Sequence, residues 1–476
     1  MNGNITEIRQ KVESWFDLHS NEMIEDLGKM LAVKSVRELP QEGEPYGHGP
    51  REALSLAASM LKERGFEVSE FENIIITADY GPEPPKMGIL AHIDVVDAGE
   101  GWVTEPYGIT ITDGKIFGRG ALDNKGPSIA AMYAMYCARD ICPDMRSGFR
   151  LILGSGEEVG CEDIALYLKK NEPPQYVFTP DAEYPLVNIE KGRAAIFFSA
   201  AWDKDPALPH IVSITGGKTI NVVPNRAEAV IEGLPLSDVE AFCREYSLKT
   251  GADMSAVHEA GRIVVNAEGK ASHAAMPELG LNAQTALIEM LAAMPFAESK
   301  GFKAVRALNR LFPHGDYLGR ALGIAMGDKD TGKLTANFGV LRYSETEMAG
   351  NFDSRTPACT DEVDLLDMIR AVLRYEGITM TNSVLSKCHY TPEDSPFVQT
   401  LLRIYRDYTG NPGGCLGMGG QTYVHEIPGG VAFGCALPEI DSRIHGANEF
   451  IGVEQLIVSA KMFAHSIIDM CMCENI

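Results

Sequence analysis

Apolar residues fall at helical spacing from near the start of the chain. Ile8, Val12, Trp15, Phe16, Met23, Ile24, Leu27 and Leu31 share one stripe and predict a long helix over residues 5–36. A second helix is expected over 51–64, closed by Gly65 as a C-terminal glycine should close it. Short apolar runs then alternate with helical patterns. Strands are expected at 86–96, 149–154 and 176–179, and helices at 127–139 and 163–169. Asp123 and Asn124 lie near the start of the first of these helices, with Pro127 in its first turn. Strand–helix alternation of this kind predicts an α/β fold: a mainly parallel sheet with helices on both faces.

The rhythm changes near Glu190-Lys191-Gly192-Arg193. Beyond it, strands come in pairs with period-two alternation, 211–215 with 227–231 and 337–343 with 347–354. Helices are expected at 236–248, 282–294 and 361–375. After about residue 385 the first style returns, with a helix at 395–408, a strand at 430–435 and a helix at 453–470. The pattern implies a catalytic domain built from residues 1–190 and 385–476, with an α+β domain of antiparallel sheets, residues 191–384, inserted in it. The insertion is long enough to hold two similar halves, although no sequence similarity between them is visible.

Composition narrows the function classes. The 476 residues are 45% apolar and 23% charged, as in an ordinary globular protein, and are too many for one small core. The formal charge of −24 repels a phosphate backbone, so nucleic acid is excluded as a partner. Such acidity serves as a solubilising surface, and part of it can be carboxylates gathered around cations. The polar start, Met1 to Lys11, lacks the pattern of a signal peptide, and no apolar run reaches the length of a membrane span. The ten cysteines form no CxxC pair and are expected to be mostly small buried hydrophobes. Together these features point to the cytoplasm.

Five segments carry metal-type ligands at expected strand ends. In Ala91-His92-Ile93-Asp94 the imidazole and the carboxylate lie two apart and share a face. A carboxylate there can fix the tautomer of a ligating histidine. Taken singly, a core histidine with a hydrogen-bonded neighbour explains this segment better. Asp123, in Gly118-Arg119-Gly120-Ala121-Leu122-Asp123-Asn124-Lys125-Gly126, taken singly reads more readily as a helix N-cap. In Gly154-Ser155-Gly156-Glu157-Glu158-Val159-Gly160, one acid can ligate while its neighbour takes a proton from water; a solvated acidic loop is the plain alternative. Asp181 follows Phe178-Thr179-Pro180, and His445 sits in Arg443-Ile444-His445-Gly446-Ala447-Asn448-Glu449. In an open parallel sheet, sites form at the carboxyl ends of strands. Their convergence is the argument, and imidazole with carboxylate suits zinc, manganese or cobalt better than magnesium or calcium.

In order along the chain, H-x-D, D-N-K-G, G-x-E-E-x-G, D-A-E and a late H-G-x-N-E resemble the metallopeptidase superfamily of aminoacylases, carnosinases, succinyl-diaminopimelate desuccinylases and bacterial dipeptidases, nearest to its dipeptidase V branch. The resemblance implies two divalent ions per chain, zinc first, with manganese or cobalt as alternatives. His92 and Asp181 would hold one, Glu158 and His445 the other, and Asp123 would bridge them, followed by a cis peptide bond. Asp94 would orient His92. Glu157 would be the general base, deprotonating a bridging water and passing the proton to the leaving amine.

In the inserted domain, Gly269-Lys270-Ala271-Ser272-His273-Ala274-Ala275-Met276-Pro277 resembles the family segment whose histidine stabilises the oxyanion. Asn221 and Arg355 match substrate-binding positions, the arginine suiting a free carboxylate; a strand-edge salt bridge is the alternative for Arg355. The loop Gly417-Met418-Gly419-Gly420-Gln421-Thr422-Tyr423 resembles the dipeptidase glycine loop bordering that carboxylate, which implicates Gly420 and Thr422. It departs from the pattern at Gln421, where a third glycine is usual and a long side chain narrows the pocket. Cys415 lacks a base partner and reads as structural. The long insertion matches the monomeric branch, so a monomer is expected, with His273 serving its own chain and the insertion acting as a lid. The implied function is a metal-dependent dipeptidase acting on small peptides. Its rivals are an N-acyl amino acid deacylase and a catalytically silent peptide-binding protein, the latter disfavoured because the whole set from His92 to His445 is present.

Overall fold

The computed structural model describes residues 2–472, with side chains from residue 7 onward. Met1 and residues 473–476, and with them Cys473, lie outside the described residues. The chain forms two compact units, 1–190 with 389–476, and 191–388.

The first unit is built on a nine-stranded mixed sheet. At its centre, Gly148–Gly154, Pro85–His92 and Tyr176–Thr179 run parallel, and Val431–Ala432 continues the parallel set beside Tyr176–Thr179. The flanks turn antiparallel, with Glu67–Phe71 and Ile75–Tyr80 on one side and Leu186–Glu190 and His389–Tyr390 on the other. The central strands are apolar on both faces, as a sheet covered by helices requires. Helices Asn2–Ala32, Lys125–Ile141 and Val453–Met472 pack together and share one apolar core with the sheet. The helix 48–63 ends two residues before Gly65, whose φ of 80° is the left-handed conformation expected of it.

A separate three-stranded sheet pairs Phe450–Gly452 with Lys115–Phe117, and that strand with Thr110–Thr112. This small sheet decides where two site loops go. Of the five candidate segments, only those of His92, Glu157–Glu158 and Asp181 follow central parallel strands. Asp123 and His445 instead lie in the loops flanking the small sheet, and its ladder brings these loops together. The sequence pattern missed it because its strands are only three residues long.

The inserted unit carries an eight-stranded antiparallel sheet. Its two sets of four strands are Asp253–Glu259, Arg262–Glu268, Arg226–Glu232 and His210–Gly216, then Thr335–Ser344, Glu347–Thr356, Gly192–Ala201 and Thr379–Ser386. Helices Leu236–Thr250, Ala283–Ala293, Lys300–Leu311 and Glu362–Tyr375 bury its apolar face. Asn282, Ser299 and Asp361 cap three of them through their side chains. Thr379–Ser386 pairs with Gly192–Ala201 as far as Ser386 opposite Arg193, so this unit runs past residue 384 to Cys388.

Nine of the cysteines lie among the described residues. Four are fully buried, four are half-buried and Cys359 is exposed, so fewer are core residues than composition suggested. No helix among the described residues is long and apolar enough to cross a membrane.

Candidate metal centre

His92 ends its strand and is fully buried. Its Nδ1 meets the backbone carbonyl of Asp94 at 3.1 Å and the Asp94 carboxylate at 3.4 Å. The tautomer is therefore set by the carbonyl as much as by the acid. Its Nε2 points at Asp123 Oδ1, 3.1 Å away, and Asp181 Oδ2, 3.4 Å away. On the other side of Asp123, Oδ2 lies 2.9 Å from His445 Nε2, which lies 3.2 Å from Glu158 Oε1. Two groups of donor atoms result, His92–Asp123–Asp181 and Asp123–Glu158–His445, each gathered within 4.8 Å. One carboxylate serves both, an oxygen to each.

These donors fit a pair of cations. His92 Nε2 is buried and makes no hydrogen bond, although two carboxylates face it. Burial alone would favour a neutral His92, but the charge of Asp181 and contacts with Asp123 hold its pKa well above the ordinary value. Hydrogen bonds to Asp123 and Glu158 raise His445 to about 10. Burial raises Asp181 and Glu158, while Asp123, against its own burial, is drawn well below the carboxylate range by the two imidazoles. A largely shielded cluster this rich in acid favours positive charge, which the two imidazoles supply among the described donors.

Glu157 is not part of either group. Burial and the charges of Asp181, Asp123 and Glu158 raise its pKa well above the usual range, against the influence of His92. Asp94 holds the loop it sits on. The Glu157 N–H donates to Asp94 Oδ1 at 3.3 Å and the Glu158 N–H to Asp94 Oδ2 at 3.1 Å. Asp94 thus connects His92 with both acids, a role that H-x-D alone did not reveal.

Two further residues escaped the sequence reading although both stood inside quoted motifs. Glu449 is fully buried, pairs with Arg119 at 2.6 Å, and accepts the N–H groups of Gly120, Leu122 and Asp123. It fixes the turn that presents Asp123. Asn124 donates from Nδ2 to Asp181 Oδ1 at 2.9 Å, and the Asp123–Asn124 peptide is cis. In the His445 loop three non-glycine residues, Arg443, His445 and Asn448, adopt φ near 60°, an uncommon conformation that tends to mark functional loops. The Asn448 carboxamide anchors that loop by accepting the Val103 N–H at 2.8 Å.

The glycine loop differs from expectation. Thr422 is buried, and both its N–H and its hydroxyl donate to Glu190, at 3.1 and 2.6 Å. Both of its donors are thus engaged by Glu190, which fixes this part of the loop. Gln421 turns toward His425, 3.3 Å away, and His425 in turn meets Glu190 at 3.1 Å. Gly420 stays half-buried beside Met418. Burial pushes the Cys415 thiol up to about 12, consistent with a structural cysteine.

Within the inserted unit, distant residues also gather. The segment around His273 bridges Val222, and the Ala274 N–H donates to the Asn221 carbonyl at 2.9 Å. Arg355 is buried, and its Nε donates to Asp353 at 2.9 Å, while Arg193 holds the other oxygen of Asp353 at 2.7 Å. The salt bridge considered for Arg355 is therefore present. Partial burial, and then the nearby Arg355 charge, lower the His273 pKa.

Comparison with known proteins agrees with this chemistry. A model of peptidase family M20/M25/M40 matches residues 88–469. The β-Ala-Xaa dipeptidase of Lactobacillus delbrueckii subsp. lactis is 33% identical over 466 residues, 95% of this chain and 97% of that protein. Human carnosine dipeptidase 1 shares the fold at 17% identity, with a TM-score of 0.55 over 98% of this chain and 100% of that one. So does the aminoacylhistidine dipeptidase of Vibrio alginolyticus, at 14% identity and a TM-score of 0.57, over 94% and 96%. Two donor groups that could hold metal ions and a family match over most of the chain lead to one conclusion: this protein is a metallopeptidase belonging to peptidase family M20/M25/M40.

Proposed function

We propose that the chain is a metal-dependent dipeptidase that hydrolyses the peptide bond of dipeptides bearing a free C-terminal carboxylate. The observation that carries this reading is the Asp123 carboxylate, one oxygen directed at His92 and Asp181, the other near His445 and Glu158. His92, Asp181 and Asp123 would hold one cation, and Glu158, His445 and Asp123 a second. Zinc, manganese or cobalt suits this mixed nitrogen and oxygen set. When bound, the cations supply Lewis acidity, polarising the scissile carbonyl and acidifying the attacking water.

The chain's own groups do the rest. Glu157 takes the proton from the attacking water and delivers it to the amide nitrogen as the C–N bond breaks. Burial and the neighbouring carboxylates raise its pKa, which favours accepting that proton. His273, kept neutral, donates to the oxyanion as charge develops there. Arg355, steadied by Asp353, grips the substrate carboxylate, with Asn221 beside His273 as a further contact. A relative named for β-Ala-Xaa dipeptides supports a dipeptide substrate and suggests that β-peptide bonds are accepted. The long inserted unit, residues 191–388, suits a monomer in the cytoplasm.

The test uses metal-free enzyme refilled with zinc, manganese or cobalt in turn. It is assayed on a dipeptide, its C-terminal amide, a tripeptide and an N-acyl amino acid, for wild type and Arg355→Ala. The dipeptide should be preferred by more than about tenfold, the value of one charge-assisted hydrogen bond. Arg355→Ala should erase the preference. Equal rates on amide and acid by the wild type would refute the carboxylate grip, and a preference for the N-acyl amino acid would make the enzyme a deacylase.

A further inference from the structure

Tyr423 closes the glycine loop and is fully buried. Its hydroxyl donates to Asp163 Oδ2. That oxygen also accepts the N–H groups of Ser155 and Gly156, each at 2.9 Å, while Oδ1 takes the Ile164 N–H at 2.8 Å. Asp94 accepts the next two N–H groups, those of Glu157 and Glu158. Four successive backbone donors, 155 to 158, are therefore held by two buried carboxylates. The Tyr423 ring also stands edge-on to His92, with centroids 6.1 Å apart and an interplanar angle of 84°.

Close approach of neighbouring side chains explains two glycines here, Gly154 and Gly156. A Cβ at Gly154 would lie 2.1 Å from the Tyr423 hydroxyl and 2.6 Å from Asp163 Oδ2. One at Gly156 would lie 2.8 Å from the Tyr46 ring. The local sequence has been emptied of side chains so that a phenol and an acid can come in against the backbone. Burying a carboxylate and a phenol is costly unless both are satisfied, and an apolar pair would fill the volume at lower cost.

We propose that Tyr423 and Asp163 form a positioning pair that sets the direction of Glu157 and mechanically ties the glycine loop to the loop bearing the base. The proposal rests on Glu157 being the general base. Asp94 holds the end of the loop next to the metal donors, and the Tyr423–Asp163 pair holds its beginning. Together they leave Glu157 little freedom to swing away from the water it must deprotonate. A displacement of about 1 Å at such a group can cost about a hundredfold in rate.

Tyr423→Phe removes one hydroxyl and keeps the ring against His92. Full-length, zinc-loaded wild type, Tyr423→Phe, Glu157→Gln and the double variant are compared on one dipeptide, with zinc content measured for each. Tyr423→Phe should lower kcat about 10- to 100-fold, with KM and zinc content within about twofold of wild type. In the Glu157→Gln background the same change should cost less than about twofold, because the group being positioned is gone. Three outcomes overturn the proposal: wild-type kcat in Tyr423→Phe, the same factor lost in both backgrounds, or a loss that tracks zinc content. Wild-type turnover in Glu157→Gln would instead remove the base assignment, and this proposal with it. Should Tyr423→Phe fail to fold, Asp163→Asn is read by the same measurements: its amide oxygen can still face Ser155, Gly156 and Tyr423, but it carries no charge and its NH2 opposes the Ile164 N–H, which weakens the hold on the loop.

Discussion

Replacing Asp94 by asparagine keeps the shape of the side chain and removes its charge and one acceptor. The structure allows the damage to be worked out. Asp94 Oδ1 faces the Glu157 N–H at 3.3 Å and His92 Nδ1 at 3.4 Å, and Oδ2 faces the Glu158 N–H at 3.1 Å. An amide must turn its NH2 toward one side or the other. Toward Oδ1 it would oppose two donors, toward Oδ2 only one, so the second orientation is preferred and the Glu158 N–H is left unsatisfied. A buried donor without a partner costs about 1–3 kcal/mol. Loss of an acid that supports metal ligands typically weakens binding about 10- to 100-fold. The Asp94→Asn enzyme should therefore lose metal preferentially from the group containing Glu158, by about one to two orders of magnitude. Its stability should fall by about 1–3 kcal/mol. Chelator competition, following the metal-to-chain ratio, reads the first quantity, and urea unfolding of the metal-free protein reads the second. Wild-type retention of both metals together with wild-type stability would show that Asp94 does not organise the loop.

Two further outcomes are expected. Glu157→Gln should keep its metals and lose turnover by a factor of about 10²–10⁴, whereas Glu158→Gln should chiefly lose metal; kinetics paired with metal analysis separate them, and interchangeable variants would void both roles. His273 should titrate below the ordinary histidine value, because burial and then the Arg355 charge disfavour the imidazolium, so it stays neutral as the pH falls through the usual range. Histidine NMR of the enzyme should show that low midpoint, and Arg355→Ala should move it upward; a midpoint unmoved by the substitution would separate the two residues.

Much of this protein is legible in its linear order. Period-two and helical spacings locate the long elements, since burying one face demands that repeat whatever the topology, and the helices at 51–64 and 395–408 fell within a few residues of their observed positions. The motifs around His92, Asp123, Glu157–Glu158, Asp181 and His445 name the donor atoms, because the side-chain chemistry that binds a cation is written in the residue itself. Partnership is not written there. Whether Asp123 meets one group or two depends on a three-stranded ladder, Phe450–Gly452 on Lys115–Phe117, whose strands are too short to leave a periodic signal. Nothing in the sequence says that Glu190 stands beside Thr422, and the salt bridge left open for Arg355 gains its partner only when the fold sets Asp353 2.9 Å away. Glu449, Asp163 and Tyr423 are ordinary letters in the sequence, and they acquire their tasks when folding buries them beside backbone N–H groups. The sequence by itself determined which atoms are available for chemistry and which faces must be buried. The tertiary structure alone decided which of those atoms face one another, because a buried charge or donor is satisfied only by groups that long-range packing brings within hydrogen-bonding distance.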